Sequence, residues 1–271
     1  MNTIDLSIII ITYNSDQYIK ECIASIYKHC NTINYEIIVF DNNSKDRTIN
    51  ILESDFKNIK LIKSNENLGF SKGNNRAVQY SKGDYILLLN IDTILLNDLS
   101  EVLSLIKKND QIGAIGIKML DGKKNYLQSV GKFPKPMNLI KLSFLNNISS
   151  EFTNGLFNNP NQLKKVDWIT GAFLLTTRVC WDDVNGLDEE YFMYVEDVDF
   201  CKKLESISKG VFFLPSLSYI HFVGFNKNRE SFLIEGYGIF VKKHFKGLNK
   251  IIAKSSLKIN NAFKKAAKSF Y

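Results

Sequence analysis

Four short runs of this 271-residue chain gather the side chains that hold polar ligands. They are Thr12-Tyr13-Asn14-Ser15, Asp41-Asn42-Asn43-Ser44, Asn67-Leu68-Gly69-Phe70-Ser71-Lys72-Gly73-Asn74-Asn75 and Asn90-Ile91-Asp92-Thr93. Each follows an apolar run of strand length. Taken singly, each is an ordinary turn, because Asn, Asp, Ser and Gly dominate turns for backbone reasons. Four in succession at the ends of consecutive strands read as a ligand site. Further along, Glu196-Asp197 opens a helical pattern over residues 195–204, where carboxylates also simply complement the helix dipole. His221 stands beside a strand-like run. No GxGxxG follows the first strand and no GxxxxGK[ST] occurs, which counts against a dinucleotide cofactor and a P-loop.

The elements that must position these residues alternate. Leu6–Thr12 is a continuous β-branched run, as in a strand buried on both faces. Residues 17–27 carry Tyr18, Ile19, Cys22, Ile23 and Ile26 at helical spacing. Strands over 36–40, 59–62, 85–89 and 112–118 then alternate with helices over 48–54, 71–80 and 99–107. Such alternation implies a parallel sheet with right-handed crossovers, whose ligands bind beyond the carboxyl ends of the strands. All four polar runs fall at that edge. Residues 121–165 are polar and Asn-rich with Pro134, Pro136 and Pro160, and read as a long functional excursion. Order returns at 166–177, followed by an acidic aromatic segment over 187–200 and strand pieces at 211–214 and 218–222.

Composition narrows the class. Hydrophobic residues make up 45% and charged residues 23%, which is ordinary for a globular chain. No apolar run is long enough to span a membrane, the N-terminus lacks the pattern of a secretory signal, and the four cysteines form no CxxC pair. A reduced, cytoplasmic protein is expected. The net charge of +7 is unevenly placed: residues 241–271 hold nine lysines and no acid, which leaves −2 on the other 240 residues. Such a body does not suit a nucleic-acid binder, and the basic segment has no interleaved aromatic platforms.

The motifs SIIIITYNS (7–15), FDNNSKD (40–46), NLGFSKGNN (67–75), GDYILLLNIDT (83–93), WITGAFLLTTR (168–178) and GLDEEYFMYVEDVDFCKKL (186–204) occur in a specific order, ending in Ile220-His221. In that order and spacing the chain resembles the family 2 glycosyltransferases of the GT-A fold, especially the rhamnosyltransferase-like branch that builds bacterial surface polysaccharides. The resemblance covers residues 6–221. It implies an α/β fold with a Rossmann-like, mostly parallel sheet. Residues 1–120 would form the nucleotide-sugar-binding half and 121–246 a less regular acceptor and catalytic half, with a C-terminal amphipathic helix over 247–271.

The resemblance also implies roles. Thr12, Tyr13 and Asn14 would line a pyrimidine pocket, with Asp41 accepting from the base N3–H and Asn43 beside it. Gly69, Lys72 and Asn75 would approach the base and ribose-phosphate. Asn90-Ile91-Asp92 stands where the branch usually has Asn-Pro-Asp. Asp92 would bind Mn²⁺ or Mg²⁺ across the diphosphate, with His221 as a further ligand. Asp197, next to Glu196, would deprotonate the acceptor hydroxyl, and Trp168, Gly171 and Ala172 would flank donor sugar and acceptor. After His221 the chain departs from the branch, because EGYGIFVKKHF (235–245) replaces a Tyr…Arg-Asn helix.

The expected function is inverting transfer of rhamnose, galactose or a similar sugar from a dTDP- or UDP-activated donor. The acceptor would be a glycan or lipid-linked glycan of bacterial lipopolysaccharide or capsule. The alternatives are a sugar-1-phosphate nucleotidyltransferase and a catalytically inactive membrane-associated module. The tail suggests where the enzyme sits. On a helical wheel Leu248, Ile251, Ile252, Ile259, Ala262, Phe263, Ala266 and Phe270 share one face. Lys250, Lys254, Lys258, Lys264, Lys265 and Lys268 oppose them, and Leu257 alone is misplaced. Such a helix either docks on the body or lies on the inner face of the cytoplasmic membrane, lysines toward anionic headgroups.

Overall fold

The N-terminal β-branched run becomes the centre of the sheet. In the computed structural model, which describes residues 4–146, 148–222 and 228–268 (146 and 265–268 by backbone alone), β1 (Leu6–Thr12) pairs in parallel with β2 (Tyr35–Asp41) and β4 (Tyr85–Leu89). Beyond β2 lies β3 (Ile59–Lys63), also parallel. Ile8, Ile9 and Ile10 are fully buried, so a strand without polar alternation has apolar cover on both faces. The crossovers are α1 (Ile19–His29), α2 (Thr48–Asp55) and α3 (Gly69–Val78). The order β3-β2-β1-β4 points four strand ends the same way, which is how the four polar runs come to share an edge.

After β4 the sheet is mixed. β5 (Thr93–Leu95), α4 (Ser100–Lys108) and β6 (Ile112–Leu120) come next in the chain. The excursion after β6 contains β7 (Tyr126–Leu127), β8 (Val130–Gly131), 3₁₀ turns at Pro136–Ile140 and Leu142–Asn146, and α5 (Ser150–Asn154). The expected single stretch at 166–177 is three pieces with a lead-in: β9 (Lys164–Val166), β10 (Trp168–Ile169) and β11 (Phe173–Thr177). β11 inserts antiparallel between β4 and β6. Then follow α6 (Arg178–Asp183), α7 (Glu196–Ser206), β12 (Gly210–His221), α8 (Arg229–His244) and α9 (Gly247–Lys268). The two pieces expected at 211–222 are one strand, β12, parallel to β6 with a register shift between Leu214 and Ser218. β5 closes the other edge antiparallel to β12.

Two cores sandwich the sheet. Ile19, Cys22 and Ile26 of α1 with Val102 and Ile106 of α4 fill one side, and Ala77, Trp181, Phe200 and Leu204 fill the other. A third cluster joins Leu139 and Leu145 of the 3₁₀ turns to Tyr191, Val198, Tyr237, Phe240, Ala253 and Leu257. All four cysteines are buried and free.

Helix α9 belongs to that third cluster, through a face the amphipathic pattern does not show. Ala253, Ser256, Leu257 and Asn260 are buried, and the Asn260 amide donates to Ile140 O at 2.9 Å. Leu257, the one residue misplaced on the wheel, is the docking residue. The apolar stripe points elsewhere: Leu248, Ile251, Ile259 and Phe263 are 71%, 63%, 41% and 70% exposed. At about 100° per residue the stripe lies roughly 130° from the docked face, with Lys254 and Lys258 on its far flank. Docking and an outward apolar face therefore coexist. The side chains of Ala266, Lys265 and Lys268, and all of Phe270, lie outside the described residues. Among the described residues no helix is long and apolar enough to cross a membrane.

Candidate active site

At the tips of β1 and β2 the chain builds a polar recess. Asn14 and Asn43 adopt left-handed backbone (φ 51° and 67°), which Asn tolerates because its side chain bonds locally. Asn14 N donates to Ser44 Oγ at 2.9 Å, and its Oδ1 accepts from Lys45 N at 2.7 Å, locking the two tips together. Tyr13 projects, 49% exposed. Asp41 is fully buried; Oδ2 accepts from Ser44 N at 2.9 Å, while Oδ1 has no partner. Thr12 Oγ1 and Ser71 Oγ are likewise buried without partners. Unmet polar atoms at that depth are costly unless a ligand completes them, and three of them gather where β1, β2 and α3 converge.

The glycine loop is held by a residue that the motifs contain but that received no role of its own. Asn42 Nδ2 donates to Gly69 O at 3.0 Å, and its Oδ1 accepts from Leu68 N at 3.1 Å. Gly69 has φ 79°, and a side chain there would collide with the Phe192 carbonyl. Only glycine fits. Lys72 is exposed at the start of α3. The Asn75 amide donates to Leu187 O (2.8 Å) and Glu189 Oε1 (3.1 Å), and its Oδ1 accepts from Leu187 N (3.0 Å). The side chain anchors the 187–189 loop to α3.

Between β4 and β5 the chain presents Asn90-Ile91-Asp92. Ile91 packs its side chain into the core beneath the sheet edge, so only its backbone faces the recess. Pairing of His221 with Thr93 across β12 and β5 brings the imidazole to Asp92, with Nε2 3.1 Å from Oδ1. Asn90 Nδ2 lies 3.3 Å from the same nitrogen, and Met119 Sδ lies 3.3 Å from Nδ1. An oxygen and a nitrogen donor at that separation fit adjacent corners of an octahedron with a radius of about 2.1 Å. The pair can hold a divalent cation, with the remaining positions left to ligand oxygens. Among the described residues no group of three or more His, Cys, Asp and Glu side chains forms a fuller cage.

The acidic pair lies one residue further along the same edge. Asn90 N donates to Ala172 O at 3.1 Å, and the neighbouring Gly171 N donates to Asp197 Oδ2 at 2.9 Å. Val198 N donates to Asp197 Oδ1 at 2.8 Å. Burial pushes the Asp197 carboxyl above its usual range, against these hydrogen bonds, which pull it down. Glu196 is buried, with Oε2 unpartnered; burial first, and the Asp197 charge second, push it up to about 8. Burial thus disfavours charge on both carboxyls, while Gly171 N and Val198 N offer donors to the ionised form of Asp197. Tyr194 and Val195 just ahead are both left-handed (φ 69° and 74°), a strained backbone for a β-branched residue. Trp168 donates Nε1–H to Lys132 O at 3.0 Å, and its ring takes the space a side chain on Gly131 would need.

The family model for glycosyl transferase family 2 matches residues 7–163, more than half of the chain. The chain belongs to this family. Rhamnosyltransferase WbbL of Escherichia coli K12 is 28% identical over 97% of this chain and 98% of its own length. The N-acetylglucosaminyl-diphospho-decaprenol L-rhamnosyltransferase of Mycobacterium tuberculosis H37Rv is 23% identical over 83% of this chain and 78% of its own. Among solved structures, the mannosyltransferase PcManGT of Pyrobaculum calidifontis, in complex with GDP-Man and Mn²⁺, superposes with a TM-score of 0.63 at 16% identity. It covers 99% of this chain and 76% of that one. The GT-A fold and a glycosyltransferase related to rhamnosyltransferases are therefore established, and the nucleotidyltransferase alternative falls.

Sequence reasoning for this glycosyltransferase missed Asn42, Thr170 beside Asp197, and the His244–Asp199 contact at 2.7 Å that braces α7 from behind. Asn42 could have been found from its place between Asp41 and Asn43. The other two had no local signal.

Proposed function

We propose that the protein is an inverting, metal-dependent hexosyltransferase that moves rhamnose, galactose or a similar sugar from a dTDP- or UDP-activated donor to a lipid-linked glycan. The observation that carries this reading is the short link from the Asp92–His221 pair to Asp197 through Asn90, Ala172 and Gly171. It sets a cation site and a base side by side at one sheet edge. Thr12, Tyr13 and Asp41 receive the pyrimidine, whose N3–H would meet the unpartnered Asp41 Oδ1.

An acceptor hydroxyl attacks the anomeric carbon from the face opposite the diphosphate, forming one C–O bond as the other breaks. Its proton passes to Asp197, and the electron pair of the broken bond leaves on the diphosphate. Asp92 and His221 would hold Mn²⁺ or Mg²⁺, which when bound neutralises the charge gathering on that leaving group. Positioning by Gly171 N–H and the buried walls supplies the remaining rate.

The outward stripe of α9, flanked by lysines and free of acids, supports peripheral attachment to the inner face of the cytoplasmic membrane, where a lipid-linked acceptor is reached. The decisive test is a thermal-shift screen of UDP-, dTDP- and GDP-sugars with and without Mn²⁺. A ligand at 100 times its Kd stabilises a fold by about 2.7 kcal/mol. No shift with any pyrimidine nucleotide would overturn the proposal.

A further inference from the structure

The half of the site that handles the acceptor carries an aromatic pair that neither the donor recess nor the cation pair uses. Phe192 is 41% exposed and stacks on Phe232 of α8, with ring centroids 5.6 Å apart and planes 29° apart. Its attachment to the site is rigid. The Phe192 carbonyl accepts from Phe70 N at 2.7 Å, and Gly69 admits the ring because it has no side chain. The Phe70 ring in turn lies against Gly171, and a methyl built on Gly171 would sit 3.2 Å from that ring and 3.7 Å from Asp197 Cβ. Phe192, Phe70, Gly171 and Asp197 thus form one contiguous wall.

The backbone between the ring and the base is where the chain stores strain. Tyr194 and Val195 are consecutive left-handed residues, a conformation that costs non-glycine residues free energy. Gly236 of α8 gives way to them, since a side chain there would sit 2.8 Å from Tyr194 O. These two residues separate the exposed Phe192 from Glu196 and Asp197, which open α7. Glu235, exposed on α8, lines the same small cleft as Phe192 and Phe232.

An exposed, immobilised aromatic face with a carboxylate at its edge matches a sugar ring, which has an apolar C–H face and a rim of hydroxyl donors. A nucleobase is better served by the unpartnered Thr12 and Asp41 at the β1 and β2 tips. A lipid chain gains nothing beside Glu235. We propose that Phe192 and Phe232 form the platform on which the acceptor's terminal sugar stacks, holding its hydroxyl toward Asp197; this rests on the glycosyl-transfer reading above.

Two measurements test it. Phe192→Trp places a reporter in the platform, to be titrated with methyl glycosides of N-acetylglucosamine, glucose, galactose and rhamnose in the presence of UDP or dTDP and Mn²⁺. At least one glycoside should shift its emission saturably, relative to the parent protein, while nucleotide alone should not. Phe192→Ala and Phe232→Ala should raise acceptor KM by about two- to tenfold, the worth of an aromatic contact. With Phe232→Ala, which leaves the Phe192 ring over Gly69 in place, donor KM and slow hydrolysis of the donor by water should stay unchanged, because water needs no platform. Emission that answers to nucleotide alone or to no glycoside, or hydrolysis that falls in step with transfer, overturns the platform. A wild-type protein whose melting temperature no nucleotide sugar moves would instead remove the glycosyl-transfer reading itself.

Discussion

Replacing Asp197 with Asn tests the base and the geometry around it at once. From the sequence alone the amide looks like an isosteric control. The structure shows otherwise, because both carboxylate oxygens accept from backbone N–H groups, Oδ2 from Gly171 and Oδ1 from Val198. An amide can accept only one of these and must turn its NH₂ toward the other. The cost is an unpaired buried N–H, about 1–3 kcal/mol. Removing a charge that burial disfavours works in the opposite direction, so the net loss of stability should stay below about 3 kcal/mol. Loss of the base should lower turnover by about 10²–10⁴, a barrier increase of about 2.7–5.5 kcal/mol. Donor affinity with Mn²⁺ should be nearly unchanged, since Asp197 does not join the Asp92–His221 pair. The pH profile adds a sign check. Asp197 is active only when ionised and its pKa is raised, so wild-type kcat/KM should climb with pH above the usual aspartate range, and the variant should lack that limb. Initial rates across pH 4–9, with calorimetry of the donor, read all of this. An Asp197→Asn enzyme with near wild-type turnover would refute the assignment and pass the role to Glu196 or Asp199.

Asp92→Asn should abolish metal-dependent donor binding as well as rate, and His221→Ala should do the same more weakly; calorimetry of UDP or dTDP with and without Mn²⁺ reads both. Glu196→Gln should be increasingly stabilising as pH rises above the usual glutamate range. The unfolded glutamate ionises near 4.5 and the folded one near 8, so wild-type stability falls as pH rises through that window. Urea unfolding at pH 5 should find the two proteins alike, and at pH 8 the variant ahead by a few kcal/mol. Glutamates at Leu248, Ile251 and Phe263 should leave the melting temperature intact and abolish co-sedimentation with anionic vesicles. Deleting the chain from Gly247 should instead lower the melting temperature, because it strips Ala253 and Leu257 from Leu139 and Phe240.

Much of the recess was legible because parallel βαβ units force it. Strands of continuous apolar residues must be buried, their crossovers are right-handed, and their carboxyl ends must then coincide. The polar runs after β1, β2 and β4, and the one opening α3, are therefore placed at one edge by the strand pattern alone. The anchoring bonds of Asn75 were not legible, because its motif position says nothing about Leu187 and Glu189, more than a hundred residues away in sequence. Ile91 was counted at the site, although a side chain between two strand ends also has a core to fill. The α9 wheel shows an apolar face and a basic face, but not the docked face of Ala253, Ser256, Leu257 and Asn260. A helix has room for three faces, and the docked one uses small and polar residues that a hydrophobicity pattern cannot register.

By itself the sequence determined what is local and periodic: the buried strands, the amphipathic helices, the turn residues, and which residue types stand at strand ends. Tertiary structure decided what depends on register and long-range packing. It inserted β11 antiparallel between β4 and β6, brought His221 within 3.1 Å of Asp92, hung Asp197 on Gly171 N–H and set Phe192 over Gly69. The upward pKa shifts of the acidic pair belong to this second group, because they arise from burial by distant segments. Periodicity is a property of neighbours along the chain, whereas a site is a property of neighbours in space, and only the packed sheet converts the one into the other.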